Sequence, residues 1–81
     1  MIKVEVISRH GCHLCEIVEL VVKEVKREID FELAISYVDE DKSLNEKYGE
    51  EVPVTLINGE RHDYFKVDSD RFRNAISRLR Q

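Results

Sequence analysis

Cys12-His13-Leu14-Cys15 is the stretch of this chain whose residue types and spacing suit covalent chemistry. The chain has two cysteines, and both lie here. Upstream, Ile2 to Ile7 alternates apolar residues with Lys3 and Glu5, and Ser8, Arg9, His10 and Gly11 then break the run. From Leu14 onward the apolar positions Leu14, Ile17, Val18, Val21, Val22, Val25 and Ile29 recur with helical spacing. The two thiols therefore fall at a strand-to-helix turn and in the first helical turn. Unpaired backbone N–H groups and the helix dipole favour a thiolate there. A thiolate is the species that attacks disulfides. Residues three apart on a helix lie about 5–6 Å apart at Cβ, close enough to bridge with little rearrangement. A bridge over so short a loop restricts the unfolded chain little, so pairing would serve exchange rather than stapling.

Other chemistries compete for the same residues. His10-Gly11-Cys12-His13-Leu14-Cys15 has the spacing of the Met-x-Cys-x-x-Cys loop of small copper chaperones, with His in place of Met. Two thiolates so spaced can hold a soft metal such as copper or zinc. Those chaperones end on a strand, however, whereas this chain ends on an amphipathic helical pattern. A third reading is two small buried thiols without turnover. His13 either holds positive charge near Cys12, lowering its pKa, or is a solvated loop residue. His10 reads as a loop residue rather than a base, and His62 as an ordinary hairpin residue.

With 81 residues the chain suits one small domain, residues 1–81. The N-terminus lacks an apolar core of signal-peptide length, and no apolar run approaches about 18 residues. A cytoplasmic protein is expected, where disulfides are mostly transient, with no membrane partner. A net charge of −4 argues against nucleic-acid binding.

The remaining pattern supplies the frame for the motif. Phe31 to Val38 is a strand candidate. Asp39 to Asp41 suits a loop and N-cap, followed by a short helix over Lys42 to Tyr48 that ends at Gly49. Glu50 to Pro53 turns into a strand over Val54 to Ile57. Asn58-Gly59 is a two-residue hairpin signal leading to a partner strand over Glu60 to Phe65. Asp68 or Ser69 caps a last helix with Phe72, Ile76 and Leu79 on one face. A helix joins the first two strands, so they are expected to run parallel. The hairpin adds two antiparallel strands.

That order, βαβαββα with Cys-x-x-Cys after the first strand and Val52-Pro53 before the third, resembles the thioredoxin fold in its minimal, glutaredoxin-like form. The resemblance covers essentially the whole chain, and the Cys-x-Leu-Cys signature is similar to that of small bacterial and archaeal glutaredoxin-like proteins. It implies an α/β fold, a four-stranded mixed sheet with helices on both faces. It also implies that Cys12 attacks and Cys15 resolves, and that Pro53 is cis and frees the backbone of Val52 for an extended substrate. Arg9 stands where glutaredoxins often carry a Lys that contacts a glutathione carboxylate, and Asp68 matches an Asp at the start of their last helix. Two positions depart from the pattern. Val6 replaces the buried Asp that thioredoxins carry six residues before the first cysteine. Lys66-Val67 replaces the Gly-Gly that allows glutathione close backbone approach.

The expected activity is therefore thiol–disulfide exchange by a monomer without a bound cofactor. Its substrate is a protein or small-molecule disulfide, and its reductant is glutathione or an enzyme of the thioredoxin-reductase type. The substrate-contacting set expected beside the two cysteines is Arg9, His13, Val52, Pro53 and Asp68. A soft-metal carrier and a non-catalytic interaction domain are the alternatives.

Overall fold

The computed structural model describes residues 1–80. Strand β1 (Lys3–Ser8) leads into helix α1 (His13–Glu28), strand β2 (Glu32–Tyr37), a single 3-10 turn (Val38–Glu40) and helix α2 (Lys42–Tyr48). Strands β3 (Val54–Ile57) and β4 (Glu60–Tyr64) and helix α3 (Ser69–Arg80) complete the chain. The strands form one sheet in the order β2-β1-β3-β4. β1 pairs parallel with β2, aligning Ser8 with Tyr37, and antiparallel with β3. This is the expected mixed sheet and element order.

Alternation along the strands divides the core between two faces. Val4 and Val6 of β1 join Val18, Val22 and Val25 of α1 and Phe72 and Ile76 of α3 in one buried cluster. Ile7, Val54 and Leu56 point the other way, where Val38 and Tyr48 cover them. Helices thus lie on both faces, α1 and α3 on one and α2 on the other.

Local signals explain the joints. Asn58 and Gly59 both adopt positive φ, 51° and 84°, as the hairpin turn requires. The Asp41 carboxylate caps α2 by accepting from Ser43 and Leu44 N–H. Asp68, rather than Ser69, caps α3, accepting the Arg71 N–H at 2.9 Å.

Some expectations need correction. Leu14 and Ile17 carry the helical period but are 50% and 44% exposed, because α1 turns a narrower stripe toward the sheet. Leu79 is likewise 50% exposed, near the C-terminal end of α3 and outside the cluster that buries Phe72 and Ile76. β4 ends at Tyr64, because Phe65 takes a positive φ of 64° and leaves the ladder. The register between β3 and β4 also shifts at Thr55/Leu56, an irregularity that apolar alternation does not encode.

Candidate active site

β1 delivers the chain to the sheet end at Ser8, and four residues then turn it into α1. Gly11 makes that turn possible with a φ of 73°, a conformation glycine adopts without a Cβ penalty. Cys12 follows as the N-cap of α1, and its Sγ accepts the Cys15 N–H at 3.1 Å. A sulfur thus occupies the acceptor position that Ser or Asp ordinarily fills at a helix start. The two sulfurs form a disulfide with the Cα atoms 5.2 Å apart. Cys12 is half-buried, whereas Cys15 is fully buried among the core residues of α1. Only Cys12 is therefore open to a partner in solution.

The Val52–Pro53 peptide bond is cis. Pro53 is buried and its carbonyl accepts the Phe65 N–H at 2.7 Å, which fixes the turn leaving β4. Leu14 meets Asp63, Tyr64, Phe65 and Lys66 along a mostly apolar groove of about 410 Å³. Leu14, Tyr64 and Phe65 are each 45–50% exposed there. A hollow of about 490 Å³ between β4 and α3, lined in part by Ile57, Arg61, His62 and Arg78, contains none of the anticipated site residues.

The remaining anticipated residues are placed as follows. The Arg9 guanidinium donates to the Gly49 carbonyl at 2.8 Å and to Asn45 Oδ1 at 3.4 Å, tying the site loop to the C-terminal end of α2. His13 is exposed, with Nδ1 4.0 Å from a Glu16 carboxylate oxygen. Asp68 is engaged at the start of α3, and Val67 beside it packs against the core.

His10 was the residue the sequence undersold. Its ring stacks on Tyr37 with centroids 3.9 Å apart. Nδ1 lies 2.6 Å from Asp39 Oδ2, and Nε2 lies 3.2 Å from a Glu40 carboxylate oxygen. Both ring nitrogens are therefore taken up by carboxylates. The hydrogen bond to Asp39 raises the His10 pKa above the ordinary 6.5, and the same bond lowers Asp39. A second pair lies beneath: the fully buried Ser8 hydroxyl donates to Glu19 at 3.1 Å. Glu19 follows Cys15 by one helical turn, a spacing that was legible in the sequence.

The His10–Asp39 pair predicts a pH dependence with a defined sign. His10 has a raised folded-state pKa, so its contribution is complete below about 6.5 and is lost as pH rises through the raised value. Asp39, lowered, contributes above its ordinary range and loses that contribution as pH falls through its lowered value. The pair therefore stabilises most in mildly acidic solution, and modestly, since both groups are solvated. An imidazole NMR titration should place His10 above 6.5, and Asp39→Asn should bring it down. A His10 that titrates at or below 6.5 in the unaltered protein would sink this pairing.

Comparison with known proteins agrees with the geometry. The sequence pattern of the glutaredoxin-like domain (DUF836) matches residues 3–77. An uncharacterised protein of Mycobacterium tuberculosis (strain ATCC 25618 / H37Rv) is 33% identical over 81 aligned residues, covering 94% of this chain and 84% of its own. A solution structure of a Nitrosomonas europaea protein is similar, with a TM-score of 0.78, 27% identity, and 93% and 91% of the two chains covered. A mutant thioredoxin from Halobacterium salinarum superimposes with a TM-score of 0.73 and 25% identity over 99% of this chain and 75% of its own. The fold is the minimal thioredoxin fold, and its Cys12–Cys15 disulfide supports a redox-type function. By sequence, this chain belongs to the glutaredoxin-like domain family.

Proposed function

We propose that the protein is a thiol–disulfide oxidoreductase that reduces protein or small-molecule disulfides. One observation carries this reading: Cys12 Sγ sits at the N-terminus of α1 as acceptor of a backbone N–H, while its partner Cys15 is fully buried. After reduction, the N-terminal end of the helix stabilises negative charge on Cys12. Cys12 attacks a substrate disulfide, one substrate thiolate leaves, and a mixed disulfide forms. Cys15 then attacks Cys12, releases the second substrate thiol and restores the intramolecular disulfide. The two electrons gained by the substrate come from the dithiol. An external thiol reductant, glutathione or a reductase enzyme, must return them.

Neither backbone group of Val52 is hydrogen-bonded among the described residues. An extended substrate segment can pair there by strand addition. Among the described residues, no helix is long and apolar enough to cross a membrane. A reducing compartment such as the cytoplasm suits the cycle, because it keeps the pair reduced between turnovers.

Glutathione fits this site poorly as a specific ligand. Lys66 and Val67 carry side chains where close backbone approach is required, and Arg9 is already engaged by α2. The test is to oxidise the protein and compare its reduction by glutathione with that by a reduced dithiol protein, with turnover of a disulfide substrate as the second readout. Slow reduction by glutathione and rapid reduction by the dithiol donor are expected. Absence of turnover with every reductant would overturn the enzymatic reading, and saturable reduction by glutathione would restore a glutathione-specific enzyme.

A further inference from the structure

Resolution of the mixed disulfide needs one event that the cysteines do not supply. Cys15 is fully buried, and burial disfavours its thiolate. The thiol must lose its proton before its sulfur can attack. Val6 occupies the β1 position where thioredoxins keep a buried acid, and Val6 is itself fully buried among apolar residues. No proton acceptor comes from that strand position.

Helix α1 supplies another. Glu19 lies four residues after Cys15 on the same helix, which brings the two side chains to one face. It is half-buried, and the buried Ser8 hydroxyl holds its carboxylate at 3.1 Å. Ser8 ends β1 and is aligned with Tyr37 at the end of β2. Glu19 is thus pinned against the sheet end, where β1 runs into the loop that carries Cys12. Resting on the proposed exchange reaction, the geometry points to Glu19 as the carboxylate that takes the proton of Cys15 during resolution.

The balance is simple. The Glu19 carboxylate accepts the S–H proton, and the Cys15 sulfur bonds to Cys12 Sγ. The bond from Cys12 to the substrate sulfur breaks, and the departing thiolate takes up the proton from Glu19 directly or through water. No further oxidant or reductant enters the step.

The groups facing Glu19 define its field. Ser8 donates to it from β1, and Cys15, Glu16 and Lys23 share its helix. From the far side, the Glu19 charge raises the Tyr37 phenol and contributes to raising His10. Asp39 and Glu40 both pair with His10, which offsets their charge. The carboxylate therefore faces the site loop and not open solvent alone.

Dithiobis(nitrobenzoate) separates the two steps, because each attack releases one coloured thiolate. Glu19→Gln retains the acceptor for Ser8 but cannot take a proton. Release of the first thiolate should be unchanged, while release of the second slows by about a hundredfold or more near neutral pH. The deficit should close in alkaline solution, where hydroxide deprotonates Cys15. In a Cys12→Ser background, Glu19→Gln should also lower the Cys15 pKa, read from thiolate ultraviolet absorbance, because a neighbouring negative charge is gone. An unchanged second phase, or an unchanged Cys15 pKa, overturns the role and leaves Glu19 as a partner for Ser8. A failure of the first phase in the unaltered protein refutes the exchange reaction instead, and the Cys15 titration then still decides whether the carboxylate reaches the thiol. Glu19→Asp, with the carboxylate kept, should recover part of the second phase.

Discussion

Replacing Cys15 with serine should leave the protein covalently joined to its disulfide substrate through Cys12, whereas Cys12→Ser should capture nothing. The asymmetry follows from burial. Cys12 is half-buried at the mouth of the α1 turn, and Cys15 has no exposed surface. A substrate sulfur can meet only Cys12, and the Cys15 sulfur can meet only Cys12. Without Cys15 the mixed disulfide has no internal nucleophile to break it, so it persists until an outside thiol arrives. Dithiol-dependent turnover should fall at least on the order of 10³-fold in either variant, the scale of losing a covalent nucleophile. In the reduced parent, alkylation followed by mass spectrometry should show Cys12 reacting at lower pH than Cys15. The helix N-terminus lowers the first thiol, while burial works against ionisation of the second. Equal capture by both variants, or preferential alkylation of Cys15, would reverse the assignment. The experiment also separates an enzyme from a metal carrier: a carrier needs both thiolates at once, and either substitution would then abolish binding without trapping a substrate.

The elements that hold this site were legible because each carries a local signal with a physical cause. The β1–α1 junction shows as a change from period 2 to period 3.6 at Gly11, and the hairpin shows as Asn58-Gly59. The cap of α2 shows as Asp41. The neighbours of the cysteines were harder to read, because they are brought together by pairing between strands distant in sequence. His10 meets Asp39 and Tyr37 only because β1 and β2 run side by side, ending in register at Ser8 and Tyr37. Nothing near His10 in the sequence announces a carboxylate 29 residues away. The apolar groove of Leu14, Tyr64 and Phe65 was hidden differently. Leu14 fits the helical period, so it reads as core, yet it lies outside the narrow stripe that α1 turns toward the sheet and stands half exposed. Glu19 lies between these cases. Its spacing from Cys15 was readable, while its bond to Ser8 required the fold.

The same limit on periodicity sets apart two substitutions in α3. Phe72 and Leu79 sit on one helical stripe, and a pattern alone would rank them together. Phe72 is fully buried, in edge-on contact with Phe31 at 5.8 Å between centroids and an interplanar angle of 88°. It also meets the half-buried His62 ring at 5.8 Å, and burial is the main cause lowering the His62 pKa. Truncating Phe72 to alanine removes a large apolar surface and opens a cavity that rigid β1 and α1 neighbours cannot close, at a cost of about 3–5 kcal/mol. A domain of this size has roughly 4–12 kcal/mol in total. Phe72→Ala should therefore lower the Tm by at least about 10 °C and leave part of the population unfolded near physiological temperature. Leu79→Ala, at a position half open to water, should change stability by no more than about 0.5 kcal/mol. The consequence reaches the chemistry, because Phe72 shares its cluster with Val18 and Val22 of the helix whose N-cap and first turn hold the two sulfurs. When that cluster loosens in the reduced protein, Cys15 should become open to alkylation at a rate that tracks the unfolded fraction. Calorimetry of the two variants and thiol accessibility measured against temperature check both parts. Equal losses of stability for Phe72→Ala and Leu79→Ala would contradict the packing described here, and a Cys15 that stays protected as Phe72→Ala melts would separate the site from the core.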